Sequence, residues 1–349
     1  SEDLAVDNSF PLQNSSLVNI LTLRYDPSLK PNLPRKTSND FEINDNIPGT
    51  EFIEKTICEN IEQNLEKFTG EKISIALSGG VDSTLALSLI RKVKPDIEIE
   101  AISIKFADSV DETTAASKIA HEFNANHSIL YLENYLSELP KAISMIKLPF
   151  WDLHWYYVVK KAKTFSNILI SGDGGDELFS GYTFRYEKFL SLTSENSTPL
   201  EKVKAYLECH ERDRVSDQEY IFTKKLNFSW NSIYEILIPY FDNNLSRLDQ
   251  VYLADYNGKL LYNFNPINSR IVDNFQMKLI TPIINNKLIK LASHMPSQSK
   301  YDEINNIGKL PLRKILKKNG HDSLVNNKKL GFNVNTLNLW KKSGHKICK

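Results

Sequence analysis

Short apolar runs that alternate with helical patterns restrict the fold of this chain more than any other feature of its sequence. Four such runs occupy residues 73–77, 98–106, 128–132 and 167–170. Successive runs start about 25–40 residues apart, which is the spacing of strand–helix–strand units in a parallel sheet. The intervals carry apolar residues at helical spacing, and Ser109 with Glu112 forms a capping-box pattern before one predicted helix. The sequence therefore predicts an α/β fold with a parallel sheet.

The composition of the chain is that of an ordinary globular protein. Its 349 residues include 43 basic and 43 acidic side chains, and 41% of the residues are hydrophobic. This length suggests two domains, or one large domain with an appendage. Because the formal net charge is zero, electrostatic attraction to nucleic acid or to an anionic membrane is not expected.

Cysteine usage and hydropathy point to a reducing, aqueous compartment. Cys58, Cys209 and Cys348 lie too far apart for a CxxC redox or zinc motif, and three cysteines do not favour a disulfide framework. No segment reaches about 18–20 consecutive apolar residues, the length of a membrane helix. The first ten residues are acidic and lack the pattern of a signal peptide. We therefore expect a soluble cytoplasmic protein without a membrane partner.

Two regions flank the strand–helix alternation. Residues 1–50 contain five prolines, which interrupt helices and sheet ladders, so we predict an extended N-terminal arm there. Within this arm only residues 16–23 (SLVNILTL) have the composition of a strand. Beyond Leu190 no further strand is evident, and helical patterns separated by breaks such as residues 263–268 indicate a helical C-terminal half. The predicted division is an arm over residues 1–50 and one domain over residues 51–349.

The first candidate site is the sequence SGGVDS at residues 78–83, between a predicted strand and a predicted helix. Its glycines have no Cβ, so their backbone N–H groups can approach an anion closely. The N-terminus of the following helix directs its N–H groups and its positive dipole end at the same point. Ser78 and Ser83 add hydroxyl groups, and Asp82 adds a carboxylate that can hold Mg²⁺ beside a phosphate. This arrangement predicts a phosphate-binding loop.

The second candidate site is SGDGGDELFSGY at residues 171–182, directly after the predicted strand 167–170. The carboxylates of Asp173, Asp176 and Glu177 lie among its glycines. Clustered carboxylates repel one another unless a cation or a proton lies between them. Parallel sheets bind their ligands at the carboxyl ends of strands. The sequence therefore predicts a second ligand-binding loop at the same edge of the sheet.

Together these segments resemble those of a known family. SGGVDS is similar to the PP-loop of ATP pyrophosphatases, which cleave ATP between the α and β phosphates, and no Walker pattern GxxxxGK[ST] occurs in the chain. With SGDGGDELFSGY, the chain resembles the synthetase domain of the asparagine synthetase family, which includes the β-lactam synthetases. The resemblance covers roughly residues 51–340. It implies a parallel PP-loop sheet of the adenine nucleotide alpha hydrolase type, flanked by helices.

The resemblance also implies roles for individual residues. Asp82 and Asp176 match the positions that bind Mg²⁺ in the family. Asp173 stands where asparagine synthetases have a glutamate and β-lactam synthetases a tyrosine, a group implicated in positioning or deprotonating the nucleophile. Lys309 would contact the α-phosphate and the acyl-adenylate and stabilise the charge that develops there. The residues implied to bind ATP are Leu77, Ser78, Gly79, Gly80, Asp82, Ser83, Gly172 and Lys309.

Segments closer to the C-terminus both match and depart from the family pattern. KLPLR at residues 309–313 and KKLGF at residues 328–332 resemble its K-x-x-L-R and K-K-x-G-F segments, with Arg313 in a structural role. Where asparagine synthetases carry E-x-R-x-P-F-L-D, residues 278–285 read KLITPIIN, so each of the three charged positions is replaced. These replacements argue against aspartate as the substrate. Lys278, if it lines the cleft, would favour an anionic portion of a larger substrate.

The expected nitrogen source also differs from that of glutamine-dependent relatives. Those proteins begin with a cysteine that opens a glutaminase domain, whereas this sequence starts with Ser1 and its first cysteine is Cys58. We therefore expect the partners to be a small-molecule carboxylate and ammonia, ammonia supplied by a separate subunit, or an amine on the substrate itself.

The resulting hypothesis is an ATP- and Mg²⁺-dependent carbon–nitrogen ligase that forms AMP. It would adenylate a carboxylate, release pyrophosphate and transfer the acyl group to ammonia or an amine. Two alternatives stay open. One is a tRNA-modifying adenylating enzyme, which the neutral net charge and the lack of a cysteine pair do not favour. The other is a non-catalytic nucleotide-binding protein, which the replacements in residues 278–285 keep in view.

Two further groups of residues have ordinary structural interpretations. His127 resembles a family histidine, but a capping or core role explains it equally well. The aromatic residues between 151 and 157 could line a substrate pocket, yet aromatics at helical spacing favour the core. We predict that they belong to the core.

Overall fold

The computed structural model of the protein describes residues 14–31, 33–44, 46–66, 68, 70, 72–106, 111–147, 153–210, 218–222, 226, 228–325 and 340–344. Ser109, Trp151 and the KKLGF segment at residues 328–332 lie outside the described residues. The predictions made for them stay predictions.

A five-stranded parallel sheet forms the centre of the molecule. Its strands are β1 (Lys72–Ala76), β2 (Glu98–Phe106), β3 (Asn126–Leu132), β4 (Ile168–Ile170) and β5 (Lys278–Ile280). The spatial order is β3-β2-β1-β4-β5, and all neighbouring strands are parallel. Ile75 of β1 aligns with Ala101 on one side and with Ile170 on the other. The predicted α/β fold with a parallel sheet is confirmed.

The strand order reverses direction at β1. The chain runs outward from β1 to β2 and β3, and then returns to place β4 and β5 on the other side of β1. Such a switch point opens a crevice at the carboxyl ends of the two central strands, because the connections that follow them leave in opposite directions. The loops after β1 and β4 border this crevice.

The fifth strand corrects the expectation that no strand occurs beyond Leu190. The four predicted strands agree with β1 to β4 to within two residues at each end. β5 has only three residues, Lys278–Ile280, a run too short to stand out from the helical pattern around it. Its pairing with β4 stabilises it, and the Ser171 N–H extends that ladder by donating to the Ile280 carbonyl at 3.0 Å.

Helices surround the sheet. Those before β4 are α1 (Asn14–Leu23), α2 (Thr50–Leu65), α3 (Val81–Val93), α4 (Thr113–Glu122), α5 (Leu139–Ile146) and α6 (His154–Ala162). Those after β4 are α7 (Gly175–Leu178), α8 (Thr183–Leu192), α9 (Pro199–Cys209), α10 (Gln218–Ile221), α11 (Trp230–Phe241), α12 (Arg247–Asp255), α13 (Asn265–Asn274), α14 (Asn286–His294), α15 (Ser297–Lys300) and α16 (Leu310–Lys318). A π-helix, Tyr256–Phe264, joins α12 to α13. The predicted helical C-terminal half is confirmed, with β5 as a strand inside it. Across the described ranges, no helix has both the length and the apolarity needed to cross a bilayer.

A buried cluster packs helices against one face of the sheet. Ile53, Ile57 and Ile61 recur every four residues of α2, so they share one face of that helix. All three are fully buried and belong to the same cluster as Ile73 and Ile75 of β1. The alternate residues of β1 and the residues spaced by four in α2 therefore pack together in one core.

A second buried cluster packs helices against the other face. Leu169 points away from its neighbours in β4 and packs in a cluster with Tyr156 of α6 and Ile271 of α13. Trp155 and Tyr157 are buried in the same cluster. The prediction that the described part of this aromatic stretch belongs to the core is confirmed.

The N-terminal segment forms a helix where a strand was expected. Residues 14–23 are α1, so the predicted strand at 16–23 is wrong. The apolar residues Leu17, Ile20 and Leu21 have the spacing of one helix face, which the local composition alone did not reveal. Val18 and Tyr25 are buried in the same cluster as β1. The division of the chain at residue 50 stays a prediction, although the two parts share this core.

Residues 34–36 bond to the π-helix. The Asn257 side chain bonds to both backbone groups of Lys36, since its Nδ2 donates to the carbonyl and its Oδ1 accepts from the N–H, each at 2.9 Å. The Tyr256 hydroxyl donates to the Pro34 carbonyl at 3.0 Å. Arg35 Nε donates to the Tyr262 hydroxyl at 2.6 Å. The N-terminal segment is therefore bound to the element that leads into α13.

Candidate functional site

The two glycine-rich segments meet at the switch point of the sheet. SGGVDS follows β1 and SGDGGDELFSGY follows β4, and these two strands are parallel neighbours. Leu77, between β1 and the first loop, is buried, and its N–H donates to the Ile102 carbonyl at 2.9 Å. The structure thus places both loops at the edge of the sheet where the sequence predicts the cleft.

Hydroxyl groups tie the first loop to the start of α3. The Ser83 Oγ lies 3.2 Å from the Ser78 Oγ and accepts from the Ser78 N–H at 3.2 Å. The Thr84 hydroxyl donates to the Gly80 carbonyl at 2.7 Å. Because α3 begins at Val81, the N–H groups of its first turn point back toward this loop. These contacts hold the shape that an anion-binding loop requires.

The second loop passes directly over the first. A Cβ at Gly175 would lie 2.2 Å from the Asp82 Oδ1, so no residue with a side chain could take this position without moving Asp82. Gly172, which the family resemblance implies in ATP binding, packs against the backbone of Asp82 and Ser83. The glycines of SGDGGDELFSGY thus allow a close approach of the two loops.

Lys309 joins carboxylates from both loops. Its Nζ lies 2.5 Å from the Asp82 Oδ2 and 2.8 Å from the Asp176 Oδ1. Asp82 lies in the first turn of α3, Asp176 lies in α7, and Lys309 is the residue that precedes α16. Burial alone would lower the pKa of the Lys309 ammonium, but the charges of Asp176 and Asp82 outweigh it and raise that pKa above its usual value. Three residues singled out from separate segments therefore form one ionic cluster.

Asp173 lies within electrostatic reach of this cluster. Its Oδ2 accepts a hydrogen bond from Asn268 Nδ2 at 3.1 Å, and its N–H donates to the Ser171 Oγ at 3.2 Å. Burial, reinforced by the negative charges of Asp82 and Asp176, raises the pKa of Asp173 to about 6. A carboxylate with this pKa can accept a proton from an amine near neutral pH.

Asn268 is a site residue that the sequence did not single out. It is 8% exposed and lies on α13, 95 residues after its partner Asp173. The sequence predicts a break between helices at residues 263–268, whereas these residues belong to the end of the π-helix and the start of α13. A polar residue flanked at helical spacing by the buried Ile267, Ile271 and Val272 would have been a signal that it serves a partner inside the molecule.

The side chains at this point fit Mg²⁺ together with phosphate. Asp82 and Asp176 offer carboxylate oxygens, and their side chains stay 15% and 22% exposed. Mg²⁺ commonly takes one or two carboxylates and completes its shell with substrate phosphates and water. Within the part of the chain that is described, no group of three or more His, Cys, Asp or Glu side chains is arranged to hold a metal ion by itself. Asp82 and Asp176 would therefore hold the ion jointly with a bound nucleotide.

A buried polar network lies behind the second loop. The Tyr182 hydroxyl donates to Glu177, and burial raises the pKa of Glu177 to about 7. The Arg185 guanidinium pairs with both carboxylate oxygens of Asp255 at 3.3 Å, and the Tyr206 hydroxyl donates to Asp255 at 2.7 Å. These bonds fix α8 and α9 against α12. The sequence singled out the loop that carries Glu177 and Tyr182, but it did not identify the pair of Arg185 and Asp255, because these residues come from helices with no recognisable motif.

The three replaced positions within residues 278–285 direct no charged side chain at the two loops. Lys278 is the first residue of β5, at the amino end of the strand, and its Nζ donates to the Asn64 carbonyl at 2.8 Å. Lys278 does not meet the condition that it lines the cleft, because the amino end of a parallel strand lies at the edge opposite the two loops. Ile280 is 2% exposed, and the Asn285 Oδ1 caps α14 by accepting from the Leu288 N–H at 3.0 Å.

Two other candidates have structural roles. His127 bonds to the Ser103 hydroxyl through Nε2 at 2.8 Å and to the Ser117 hydroxyl through Nδ1 at 2.9 Å, and burial lowers its pKa. It therefore links β3 to β2 and α4. Arg313 Nε donates to the Gly308 carbonyl at 3.0 Å and thereby holds the turn that precedes Lys309.

The chain is similar in sequence to a family of known proteins. Residues 66–347 match the family model described as asparagine synthase. The glutamine-hydrolyzing asparagine synthetase 1 of Bacillus subtilis (strain 168) is 32% identical over 124 residues, which are 33% of this chain and 19% of that protein. The chain spans about a fifth of the length of the curated relatives it matches.

Similarity to solved structures is lower. NMN synthetase from Francisella tularensis shares 15% identity at a TM-score of 0.33, over 61% of this chain and 94% of that one. NH3-dependent NAD synthetase from Campylobacter jejuni shares 13% identity at a TM-score of 0.29, over 57% of this chain and 99% of that one.

Proposed function

Because the chain belongs to the asparagine synthase family, we propose that it is an ATP- and Mg²⁺-dependent ligase that forms a carbon–nitrogen bond and releases AMP. One observation carries the proposal. The Nζ of Lys309 lies within 2.8 Å of a carboxylate oxygen of both Asp82 and Asp176. These three residues come from distant segments and meet at the carboxyl ends of the two central strands. This is the position at which such a sheet binds a nucleotide.

The first half of the reaction joins the substrate carboxylate to the nucleotide. A carboxylate oxygen attacks the α-phosphorus of ATP, the bond to the β-phosphate bridge breaks, and pyrophosphate leaves with the electron pair of that bond. The loop at residues 78–83 offers backbone N–H groups and two serine hydroxyls to the β and γ phosphates. Lys309 offers a positive charge to the α-phosphate oxygens as negative charge develops there. Mg²⁺ bound by Asp82 and Asp176 would neutralise charge on the leaving pyrophosphate.

The second half transfers the acyl group to nitrogen. The amine attacks the acyl carbon of the adenylate, the carbon–oxygen bond to AMP breaks, and the amine loses a proton. Asp173 is the proposed acceptor of that proton, because its raised pKa suits proton transfer near neutral pH. Asn268 holds the Asp173 Oδ2 with a hydrogen bond of 3.1 Å and thereby limits the directions in which the carboxylate can turn. The side chain of an aspartate is shorter than that of the family's glutamate, so the nucleophile has to come close to the loop.

The substrates are proposed by class only. We propose a small-molecule carboxylate as acyl donor, and ammonia, ammonia from a separate subunit, or an amine on the substrate itself as acceptor. The position of Lys278 at the opposite edge of the sheet removes the argument for an anionic substrate portion.

The test follows the phosphates of ATP. Purified protein is incubated with ATP labelled at the α-phosphate, MgCl₂, ammonium chloride and a panel of carboxylates. The proposal expects AMP and pyrophosphate in equal amounts from at least one carboxylate, and no ADP. Asp82→Asn should lower the rate by about a hundredfold or more. Asp96→Asn, an exposed position in the loop after α3, is the matched control and should keep the wild-type rate.

Two outcomes would count against the proposal. Formation of ADP would show phosphoryl transfer in place of adenylation. Binding of ATP with no release of pyrophosphate across the whole panel would favour the alternative of a non-catalytic nucleotide-binding protein.

A further inference from the structure

The ammonium of Lys309 occupies the space between the two carboxylates expected to hold a metal ion. It lies 2.5 Å from Asp82 and 2.8 Å from Asp176, and the whole lysine is 8% exposed. These distances are those of direct charge-assisted hydrogen bonds. A metal ion could not take this position between the two carboxylates without displacing the ammonium.

The backbone around Lys309 is built to keep the ammonium there. The backbone of Lys309 is left-handed, with φ 60° and ψ 33°, a conformation that costs free energy for residues other than glycine. Its N–H donates to the Phe179 carbonyl at 2.8 Å. A Cβ at Gly181 would lie 1.8 Å from the Asp176 Oδ1 and 2.3 Å from the Lys309 Cε, so this glycine leaves the room that the ion pair fills. The second loop therefore fits the contact between Asp176 and Lys309.

The charges give the contact a purpose in the nucleotide-free protein. Two carboxylates at this separation repel each other, and partial burial strengthens the repulsion. The ammonium reduces the charge of the group from −2 to −1. Without a cation, Asp82 and Asp176 would be expected to move apart, and the loops at residues 78–83 and 171–182 would lose their present contact.

We propose that Lys309 is also a positioning residue, whose ammonium holds Asp82 and Asp176 together in the nucleotide-free protein and excludes a divalent cation from between them. This inference rests on the proposed function. The metal ion enters with the nucleotide, because phosphate oxygens supply ligands that two carboxylates lack and give the ammonium a new partner. The order of binding is therefore a property of this lysine.

Titration with Mn²⁺, a probe whose unbound form gives an electron paramagnetic resonance signal, tests the proposal without nucleotide. Wild-type protein should bind Mn²⁺ weakly. Lys309→Met should bind one Mn²⁺ about tenfold or more tightly, because the competing charge is gone. Lys317→Met, which removes a lysine from an exposed position of the same helix, is the matched control and should resemble the wild type. Lys309→Arg keeps the charge and should also bind weakly.

A second substitution locates the ion. Adding Asp176→Asn to Lys309→Met should return Mn²⁺ affinity to the wild-type level. A wild-type protein that binds Mn²⁺ without nucleotide as tightly as Lys309→Met, at a site that Asp176→Asn abolishes, would overturn the proposal. A loss of affinity in Lys309→Met would do the same.

The wild-type chain decides the matter if Lys309→Met does not fold. With an ATP analogue that carries a methylene group between the α and β phosphates, wild-type protein should bind one Mn²⁺ that it does not bind alone, and Asp176→Asn should remove it. A Mn²⁺ site of the same affinity with and without the analogue would contradict the proposal. None of these measurements requires a carboxylate substrate, an amine substrate or catalytic turnover. A protein that releases no pyrophosphate would therefore refute the ligase reaction and leave the Mn²⁺ results to be judged separately.

Discussion

At the scale of single residues, the environment of Asp173 sets its chemistry. The side chain receives one hydrogen bond from Asn268, but it lies in a partly buried position near two other carboxylates. Removal from water disfavours the charged form, and the neighbouring charges of Asp82 and Asp176 act in the same direction. The carboxylate of Asp173 therefore binds a proton more readily than an aspartate in water does.

Asp173→Asn should stabilise the protein near neutral pH and have little effect in acid. The pKa of Asp173 is raised from 3.8 to about 6, so the folded chain holds this proton more tightly than the unfolded chain. The resulting stability is fully present below the unfolded pKa and is lost as the pH rises through about 6. Asparagine is uncharged at every pH and avoids a loss of about 1–3 kcal/mol. Urea unfolding at a series of pH values between about 4 and 8 measures the difference.

Asp302→Asn provides a control of opposite sign. Hydrogen bonds from the Asn305 side chain and backbone lower the pKa of Asp302, whose contribution to stability is present above the unfolded pKa and is lost as the pH falls through the folded pKa. That variant should therefore lose stability at neutral pH. A difference between Asp173→Asn and wild type that does not change with pH would contradict the raised pKa.

Residue-level prediction from sequence succeeded where the pattern was local. SGGVDS and SGDGGDELFSGY each follow an apolar run, so their meeting at one edge of the sheet follows from parallel strand geometry alone. Lys309 stands 227 residues after Asp82, and only the family resemblance indicated its place. Asn268 was missed, because no pattern in one sequence connects it to Asp173.

At the scale of elements, the bonds between residues 34–36 and the π-helix link the N-terminal segment to the site. The Asn257 amide satisfies both backbone groups of Lys36 and is 1% exposed. The π-helix continues into α13, which carries Asn268 and hence the hydrogen bond to Asp173. A π-helix is a rare form of helix that departs from the regular α-helical hydrogen-bond pattern, so contacts of this kind help to stabilise it.

Asn257→Ala should lower the free energy of unfolding by about 2–3 kcal/mol, because two half-buried backbone groups of Lys36 lose their partner. Asn274→Ala is the matched control. Asn274 is exposed on α13 and bonds to the Arg270 and Met145 carbonyls, so its loss should cost no more than about 0.5 kcal/mol. Urea unfolding followed by circular dichroism compares the two variants. Equal effects would show that the contact between Lys36 and Asn257 is not a support of the fold.

The elements that the sequence failed to predict are those whose stability comes from tertiary contacts. The sequence predicts a strand where α1 lies, because the β-branched and leucine residues there suit either state, and burial against the core selects the helix. β5 is three residues long and exists because β4 offers a free edge for it. In β1 to β4 the local pattern and the tertiary contacts agree, and there the prediction was correct.

At the scale of the whole molecule, the strand order decides which residues can share a site. In the chain, β1 ends at Ala76 and β4 begins only at Ile168, yet Ser74 of β1 aligns with Leu169 of β4 and the two strands are neighbours in the sheet. This arrangement brings the loop at residues 171–182 over Asp82 and leaves a place for Lys309 between them. The same order puts residue 278, at the start of an edge strand, on the side of the sheet away from the loops.

This placement bears on the acyl donor. In the family pattern E-x-R-x-P-F-L-D, three charged side chains stand where this chain has Lys278, Ile280 and Asn285. Lys278 bonds to the Asn64 carbonyl at the opposite edge, Ile280 is buried, and the Asn285 amide caps α14. No charged side chain of this segment is therefore directed at the two loops, where it could hold the charged groups of a free amino acid.

Incubation with aspartate, ammonium chloride, ATP and MgCl₂ should accordingly yield little asparagine. Chromatography of the amino acids, with AMP measured in the same samples, gives both the product and the extent of adenylation. The reaction with a carboxylate that is not an α-amino acid should release more AMP and pyrophosphate than the reaction with aspartate. Binding of such a carboxylate does not require the missing charged side chains. Asparagine formed in step with AMP, at a rate above that of every other carboxylate tested, would contradict this prediction. It would leave the adenylation chemistry at Asp82, Asp176 and Lys309 unaffected, since that chemistry does not depend on residues 278–285.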